Sequence, residues 1–403
     1  MSPARKTIGI LAVTQIVSWG SLYYAFAVLA PAIQRELGMS KEAAFAAFSW
    51  SLLVAGLAAT PVGAMVDRHG GRYVMALGSV VSALGMAGLG LCDSALQYWA
   101  AWTVIGLAMA LTLYEAAFAT INRKLGVEAP RGISTLTLFA GFASTIFWPL
   151  TLAISSRLGW RDTFLLYAAL QLAACLPLHL RLGRDAPHPP APAHAPRDSH
   201  TLAEAVRHPV FWKLALAFSA NIFIFSALAV HLIPLLQSLG HAASAAVLLA
   251  ALVGPMQVAG RIGERTLARD AAPQVVGRFV FATLPGGLLA LALFGSHAWG
   301  VALFCVLYGM SNGVLTIIRG TLPRALFGAR HYGAITGALA APSLVSKAIG
   351  PLLGAALLGG AAGPLVLPLT LFAVALASLL LYLAAIRQPA QAPLPAAARD
   401  GGT

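Results

Sequence analysis

Two ionisable residues interrupt long apolar runs of this chain. They are Glu115, in Leu-Tyr-Glu-Ala-Ala-Phe-Ala, and Lys347, in Leu-Val-Ser-Lys-Ala-Ile-Gly. A charged side chain far from water is costly and is kept where it meets a cavity or a partner. A lysine in that setting is a candidate for binding an anionic group, and a carboxyl there can take up and release a proton near neutral pH. Competing readings are a lysine that snorkels along a tilted helix or pairs internally, and a glutamate fixed in a salt bridge. Arg319, in Ile-Ile-Arg-Gly-Thr-Leu-Pro, sits in a comparable apolar context. Uncharged groups form a softer set. Gln15, Trp19 and Tyr23 follow one another by a helical turn and so share a face, with Tyr24 beside them. Asn221, His231, Gln257, Tyr308 and Asn312 are further candidates, since amides and tyrosines offer hydrogen bonds inside an apolar wall. Cys92, Cys175 and Cys305 have no paired spacing. The chain carries no metal-ligand cluster, nucleophile and base constellation or phosphate loop, so it reads as a non-enzyme without cofactor or metal.

The elements that must position these residues are membrane spans. With 403 residues, 59% hydrophobic and 10% charged, and a mean hydropathy of +0.80, the chain has too little polar surface for a soluble globule. A helix needs about 20 apolar residues to cross the hydrocarbon, and twelve candidate spans lie near 7–33, 43–66, 73–92, 97–121, 132–155, 163–181, 210–237, 243–262, 275–295, 298–319, 333–358 and 364–386. On these bounds Lys347 is mid-span. The segment 182–208, rich in proline with His and Arg, cannot bury a core and reads as an exposed linker. The net charge of +13 argues for topology, not for a nucleic-acid partner. Arg68, Arg72, Arg123, Lys124, Arg131, Arg261, Arg265 and Arg324 fall in loops on the side of both termini, against Arg35, Lys41, Arg157 and Arg161 on the other. That asymmetry places the termini and linker in the cytoplasm. The basic lead Met1 to Lys6 reads as retained, not as a cleaved signal.

Between the second and third spans lies Gly63-Ala-Met-Val-Asp67-Arg68-His-Gly70-Gly71-Arg72, a dense patch of charge in a nearly uncharged chain. A degenerate copy, Gly260-x-x-x-Glu264-Arg265, recurs about 200 residues later, with Ile133 and Ile335, Ser144 and Ser346, and Pro149 and Pro351 at nearly the same offset. The first motif resembles the loop 2–3 signature of the major facilitator superfamily of secondary transporters, and Gly159-Trp160-Arg161-x-x-Phe164 is similar to a run common in those proteins. This resemblance covers nearly the whole chain. It implies an all-α integral membrane fold of twelve transmembrane helices in two pseudo-symmetric six-helix bundles, of the twelve-helix bacterial type. The domains expected are 1–181, a linker 182–208, a second bundle 209–387 and a cytoplasmic tail 388–403. Parallel halves around a central cavity are the architecture attached to it.

The resemblance further implies that Gly63, Asp67, Arg68, Gly71 and Arg72 form a latch that holds one conformation. Because Arg261 replaces the first motif's Ala64, the share of the second copy in that latch stays open. Spans one, four, seven and ten of such folds surround the cavity. Glu115 and Arg319 are then a gate pair, or Arg319 meets substrate, or it follows the charge bias of its loop. The glycine-proline signature of span five in many drug antiporters is missing, since Trp148 precedes Pro149. The expected function is an inner-membrane secondary active transporter working by alternating access, a proton-coupled symporter of a small organic anion, monocarboxylate-like. Lys347 is its anion site, Glu115 its proton group, and Gln15, Trp19, Tyr23, Asn221, Tyr308 and Asn312 its pocket. Its partners would be the small-molecule substrate, protons and the lipid bilayer, with the protein a monomer. The alternative is a proton-driven exporter of a drug, toxic compound or metabolite.

Overall fold

The computed structural model describes residues 3–183, 199–268, 270–358 and 363–387. The proline-rich stretch 184–198 and the tail 388–403 lie outside the described residues, as does Arg269. Within them the chain is helical, with no strand.

Ten helical stretches are long and apolar enough to cross a membrane. Nine run from 20 to 34 residues, while Ala95–Leu180 runs for 86. Straight, 86 residues would reach about 130 Å, against a hydrocarbon core of ~30 Å. The stretch instead doubles back. Gly159 takes a left-handed φ of 80°, and across it the Thr151 and Tyr167 hydroxyls hydrogen-bond at 2.7 Å. Gly126 does the same at φ 53°, and Gly132 then packs against Leu125 and Ile121. Both turns need a residue without Cβ.

Three breaks inside helices bear on function. Trp19–Tyr24 is a π-helical turn between Pro3–Ser18 and Ala25–Leu37. Leu113, extended at φ −82° and ψ −162°, separates Ala95–Thr112 from Tyr114–Leu125. Gly141 and Phe142 separate Ala129–Ala140 from Ala143–Leu170.

The buried apolar residues fall into three clusters. One draws only on residues 205–385, and one only on 22–168. The third draws on 10–182 plus a single distant residue, Tyr332. Packing is therefore mostly within each part of the chain, joined where Lys41–His69 runs against Tyr332–Leu358. That contact is close because a Cβ on Gly63 would collide with the Gly333 carbonyl, the small-residue device by which helices associate without help from water. Outward-facing Leu84, Leu152, Leu293 and Leu352 are exposed, as suits a multi-pass integral membrane protein surrounded by lipid.

Candidate functional site

A cavity of about 1050 Å³ lies among these helices. Its aromatic wall comes from the π-helical turn. A π turn is wider than an α turn, and here it brings Trp19, Tyr23 and Tyr24 together into the cavity. Trp19 lies 5.3 Å from Tyr23 and 5.0 Å from Tyr114, centroid to centroid. Its indole Nε1 is buried and has no partner among the described residues.

Gln15 leaves that face. It is fully buried and donates from Nε2 to the Thr112 carbonyl at 2.5 Å. It thus serves the backbone acceptor beside the break at Leu113, and it is not among the cavity-lining groups. The expected common face of Gln15, Trp19 and Tyr23 presumed a uniform 3.6-residue helix, which the π turn interrupts.

Among the described residues, four charged side chains line the cavity: Lys347, Arg261, Arg319 and Glu115. Lys347 Nζ stands 4.7 Å from the centroid of the Tyr23 ring, a cation–π distance. Its backbone carbonyl accepts a 2.6 Å hydrogen bond from Ser226. Among the described residues, Lys347 has no carboxylate partner.

Arg261 is 8% exposed and donates from Nε to the Gly313 carbonyl at 3.3 Å. Its guanidinium occupies the place where a side chain at position 141 would begin, since a Cβ on Gly141 would strike Nη1. Sequence reasoning had put Arg261 with the latch copy. The sequence signal for its inward position is Gly141, whose missing side chain makes the room.

Arg319 Nη2 lies 3.7 Å from Glu115 Oε1. The break at Leu113 makes Glu115 the second residue of a fresh helix, where a carboxylate complements unpaired N–H groups. Gln257 and Asn312 also line the cavity. Asn221 is buried elsewhere and donates to the Ala217 carbonyl and to Ser378 Oγ. Tyr308 is buried between Phe225 and Phe304, at 5.0 and 5.2 Å. His231 lies 2.8 Å from the Pro351 carbonyl through Nε2.

Outside the cavity lining, polar contacts join residues far apart in sequence. Asp67 accepts the backbone N–H groups of Gly333 and Ala334, each at 3.0 Å. It so caps the Tyr332–Leu358 helix, where a negative charge is favoured. Arg123 donates to the Asp67 carbonyl. Gly71 packs on Thr120, Arg72 lies over Tyr73 at 5.2 Å, and Arg68 is exposed.

The second copy of the motif contributes too. Glu264 accepts from Ser134 Oγ at 2.6 Å, and Arg265 donates to Thr135. Asn122 donates to the Ala329 carbonyl at 3.0 Å and accepts from Arg324, and Arg131 pairs with Asp270 at 3.2 Å. In sequence Arg324 reads as one of the loop arginines, and nothing in the spacing singles out Asn122 as its partner.

Comparison with known proteins adds a family. The family model described as Major Facilitator Superfamily matches residues 11–341. A Thermoproteus tenax protein, described as an uncharacterized 38 kDa protein in the 23S RNA operon, is 28% identical over 94% of this chain and 95% of its own length. Monocarboxylate transporter 4 of Rattus norvegicus is 26% identical over 83% of this chain and 74% of its own. Among solved structures, the human organic anion transporter MFSD10 (TETRAN) superposes with a TM-score of 0.72 at 17% identity, covering 95% of this chain and 100% of that one. The E. coli fucose:proton symporter FucP also gives 0.72, at 14% identity, over 94% and 98%. At those identities the structural likeness speaks for the fold.

Proposed function

The chain belongs to the major facilitator superfamily, and on that premise we propose that this secondary active transporter of small molecules carries a small organic anion, monocarboxylate-like, together with protons. The observation that carries the reading is the charge balance of the cavity. Lys347, Arg261 and Arg319 face a single carboxylate, Glu115, among the described lining residues. An unneutralised cation in a low-dielectric cavity is stabilised by an anionic ligand. Lys347 binds the anionic group and Arg261 helps to orient it. Trp19 offers an indole N–H, and Tyr23 holds the lysine in place. Glu115 carries the proton, and its bond to Arg319 is made and lost as that proton leaves and returns. Similarity to a protein named as a monocarboxylate transporter supports the substrate class.

In this account twelve spans form two six-span halves, divided at the linker 182–208, and the 86-residue stretch supplies three of them. Both termini lie in the cytoplasm of a bacterial cell, and the protein works as a monomer. Asp67, with Gly63, Arg68, Gly71 and Arg72 around it, latches the cytoplasmic end, so that the structure is the state open to the outside. Alternating access requires that latch to release.

A second reading, an exporter of an apolar or aromatic compound, draws on the wall of Trp19, Tyr24, Phe45, Phe48 and Trp148. Flux of labelled carboxylates and of toxic neutral compounds in proteoliposomes, with and without a pH gradient, separates the two. Gradient-driven accumulation of carboxylates is the expected result. Movement of neutral compounds with carboxylates inert would transfer the protein to the exporter class.

A further inference from the structure

Behind the Glu115–Arg319 pair lies a second, small cavity of about 30 Å³, lined on its far side by Phe118, Phe218, Thr316, Thr336 and Leu339. Glu115, Arg319, Tyr114 and Ala340 line both this cavity and the large one. The ion pair is therefore part of the partition between them. The space suffices for one water, which needs two to four polar partners. Glu115, Arg319, Thr316 and Thr336 supply them. Thr336 is 7% exposed; the Tyr332 hydroxyl stands beside its own, but no contact of ordinary hydrogen-bond geometry satisfies it among the described residues. A buried hydroxyl without a well-made hydrogen bond is unfavourable, and a molecule in the chamber would supply one. Thr316 Oγ1 donates to the Asn312 carbonyl at 3.4 Å, which leaves its lone pairs free to accept.

Phe118, Phe218 and Leu339 line the chamber, and the Tyr332 hydroxyl, next to Thr336, is engaged in donating to the Gly320 carbonyl at 2.5 Å. Thr336 also lies one turn along the helix whose first N–H groups are held by Asp67. Movement of that helix away from the latch would open the chamber.

We propose that the chamber holds one ordered water, hydrogen-bonded to the Thr336 hydroxyl and the Glu115 carboxyl, and that Glu115 releases its proton through this water toward the latched end. The O–H bond of protonated Glu115 breaks and the proton passes to the water. A proton then leaves the water for solvent once the latch has opened, and the carboxylate left behind is neutralised by Arg319. The closed chamber prevents a leak while the large cavity is open. Thr336 is a positioning residue, since it acts through the water. The inference rests on the reading of Glu115 as the proton group.

The test is an infrared titration of the purified full chain in lipid, following the carboxylic C=O stretch that grows on acidification. Loss of one band in Glu115→Gln assigns it. A shift of that band to higher frequency in Thr336→Val, with the original position regained in Thr336→Ser, is the result expected. An unmoved band in Thr336→Val overturns the water site alone. Absence of any band lost in Glu115→Gln overturns the proton role of Glu115 and the inference with it. Should Thr336→Val fail to fold, Thr336→Ala against Thr336→Ser gives the same comparison.

Discussion

Lys347 and Tyr23, 324 positions apart in the sequence, meet face to face: Nζ lies 4.7 Å from the ring centroid. The two residues come from helices in different parts of the chain, and no carboxylate among the described residues neutralises the lysine. A cation–π contact is worth about 0.5–2 kcal/mol. It holds the charge in place without satisfying it, and that leaves room for an anion. Replacing Tyr23 by Phe should therefore leave anion affinity within about 2-fold, since the ring face remains. Tyr23→Ala should raise the Kd about 2- to 30-fold, the range set by that energy. Equal affinity in Tyr23→Ala and the parent would remove the ring from the site, as calorimetric titration can decide.

Asp67 caps the Tyr332–Leu358 helix through two backbone bonds. Asp67→Asn keeps an acceptor but loses the charge, which at a helix N-terminus is worth about 0.3–2 kcal/mol. Turnover should change about 2- to 30-fold, by the same energy, while the Kd for substrate stays nearly constant. Stopped-flow binding and flux measured on the same preparation separate the two, and equal loss in both would argue against a latch.

Gly63 touches the Gly333 carbonyl where a Cβ has no space. Gly63→Ala should shift the population away from the latched state. Spin labels at His69→Cys and Arg330→Cys, both exposed positions, should report longer distances by pulsed electron resonance. An unchanged distribution would mean that the helices yield elsewhere.

Much of this could be anticipated from residue types. Asp67 and Glu264 stand out because charge is scarce in the chain, and Glu115 and Lys347 because apolar runs surround them. Position in space was harder to read. Nothing at Leu113, which has neither glycine nor proline beside it, signals the break that starts a new helix at Glu115. The π turn at Trp19–Tyr24 contains Gly20 and Ser21, a pair compatible with a local break that does not say which way the turn widens, yet it decides that Tyr24 and not Gln15 shares the cavity with Trp19 and Tyr23. Arg261 lies near a helix end, where a positive charge is ordinary, and its inward direction depends on a gap at Gly141 in a distant helix. Asn221 and Tyr308 have types suited to a pocket, but neighbouring helices cover them. Periodicity reports which face a residue shares, whereas the direction of that face is set by tertiary packing.

That gap carries its own expectation. In Gly141→Ala the new methyl group would displace the Arg261 guanidinium. Anion affinity should fall to the level of Arg261→Ala, and adding Gly141→Ala to Arg261→Ala should have little further effect, since the two act on one contact. Additive losses in the double variant would place Gly141 outside the site.

At the end away from the latch, Arg161 holds Glu36 at 2.7 Å, the Cys92 carbonyl at 2.6 Å and Asp93 at 3.2 Å, while Trp160 Nε1 donates to Glu36 at 2.5 Å. One guanidinium thus ties three segments together. Arg161→Ala should lower the apparent melting temperature by several degrees with substrate affinity unchanged. A melting curve that coincides with that of the parent would show the cluster to be dispensable.

The central claim is that Lys347 binds the anionic group of a proton-coupled substrate, and the most direct measurement is uptake of radiolabelled small carboxylates into proteoliposomes under an imposed pH gradient, with the parent and Lys347→Ala in parallel. Hydrogen bonds to a charged group contribute about 1.5–3 kcal/mol. The account predicts gradient-driven accumulation by the parent and a loss of about 10- to 150-fold in uptake at low substrate for Lys347→Ala, with equal amounts of protein in the vesicles. Undiminished uptake by Lys347→Ala would contradict it.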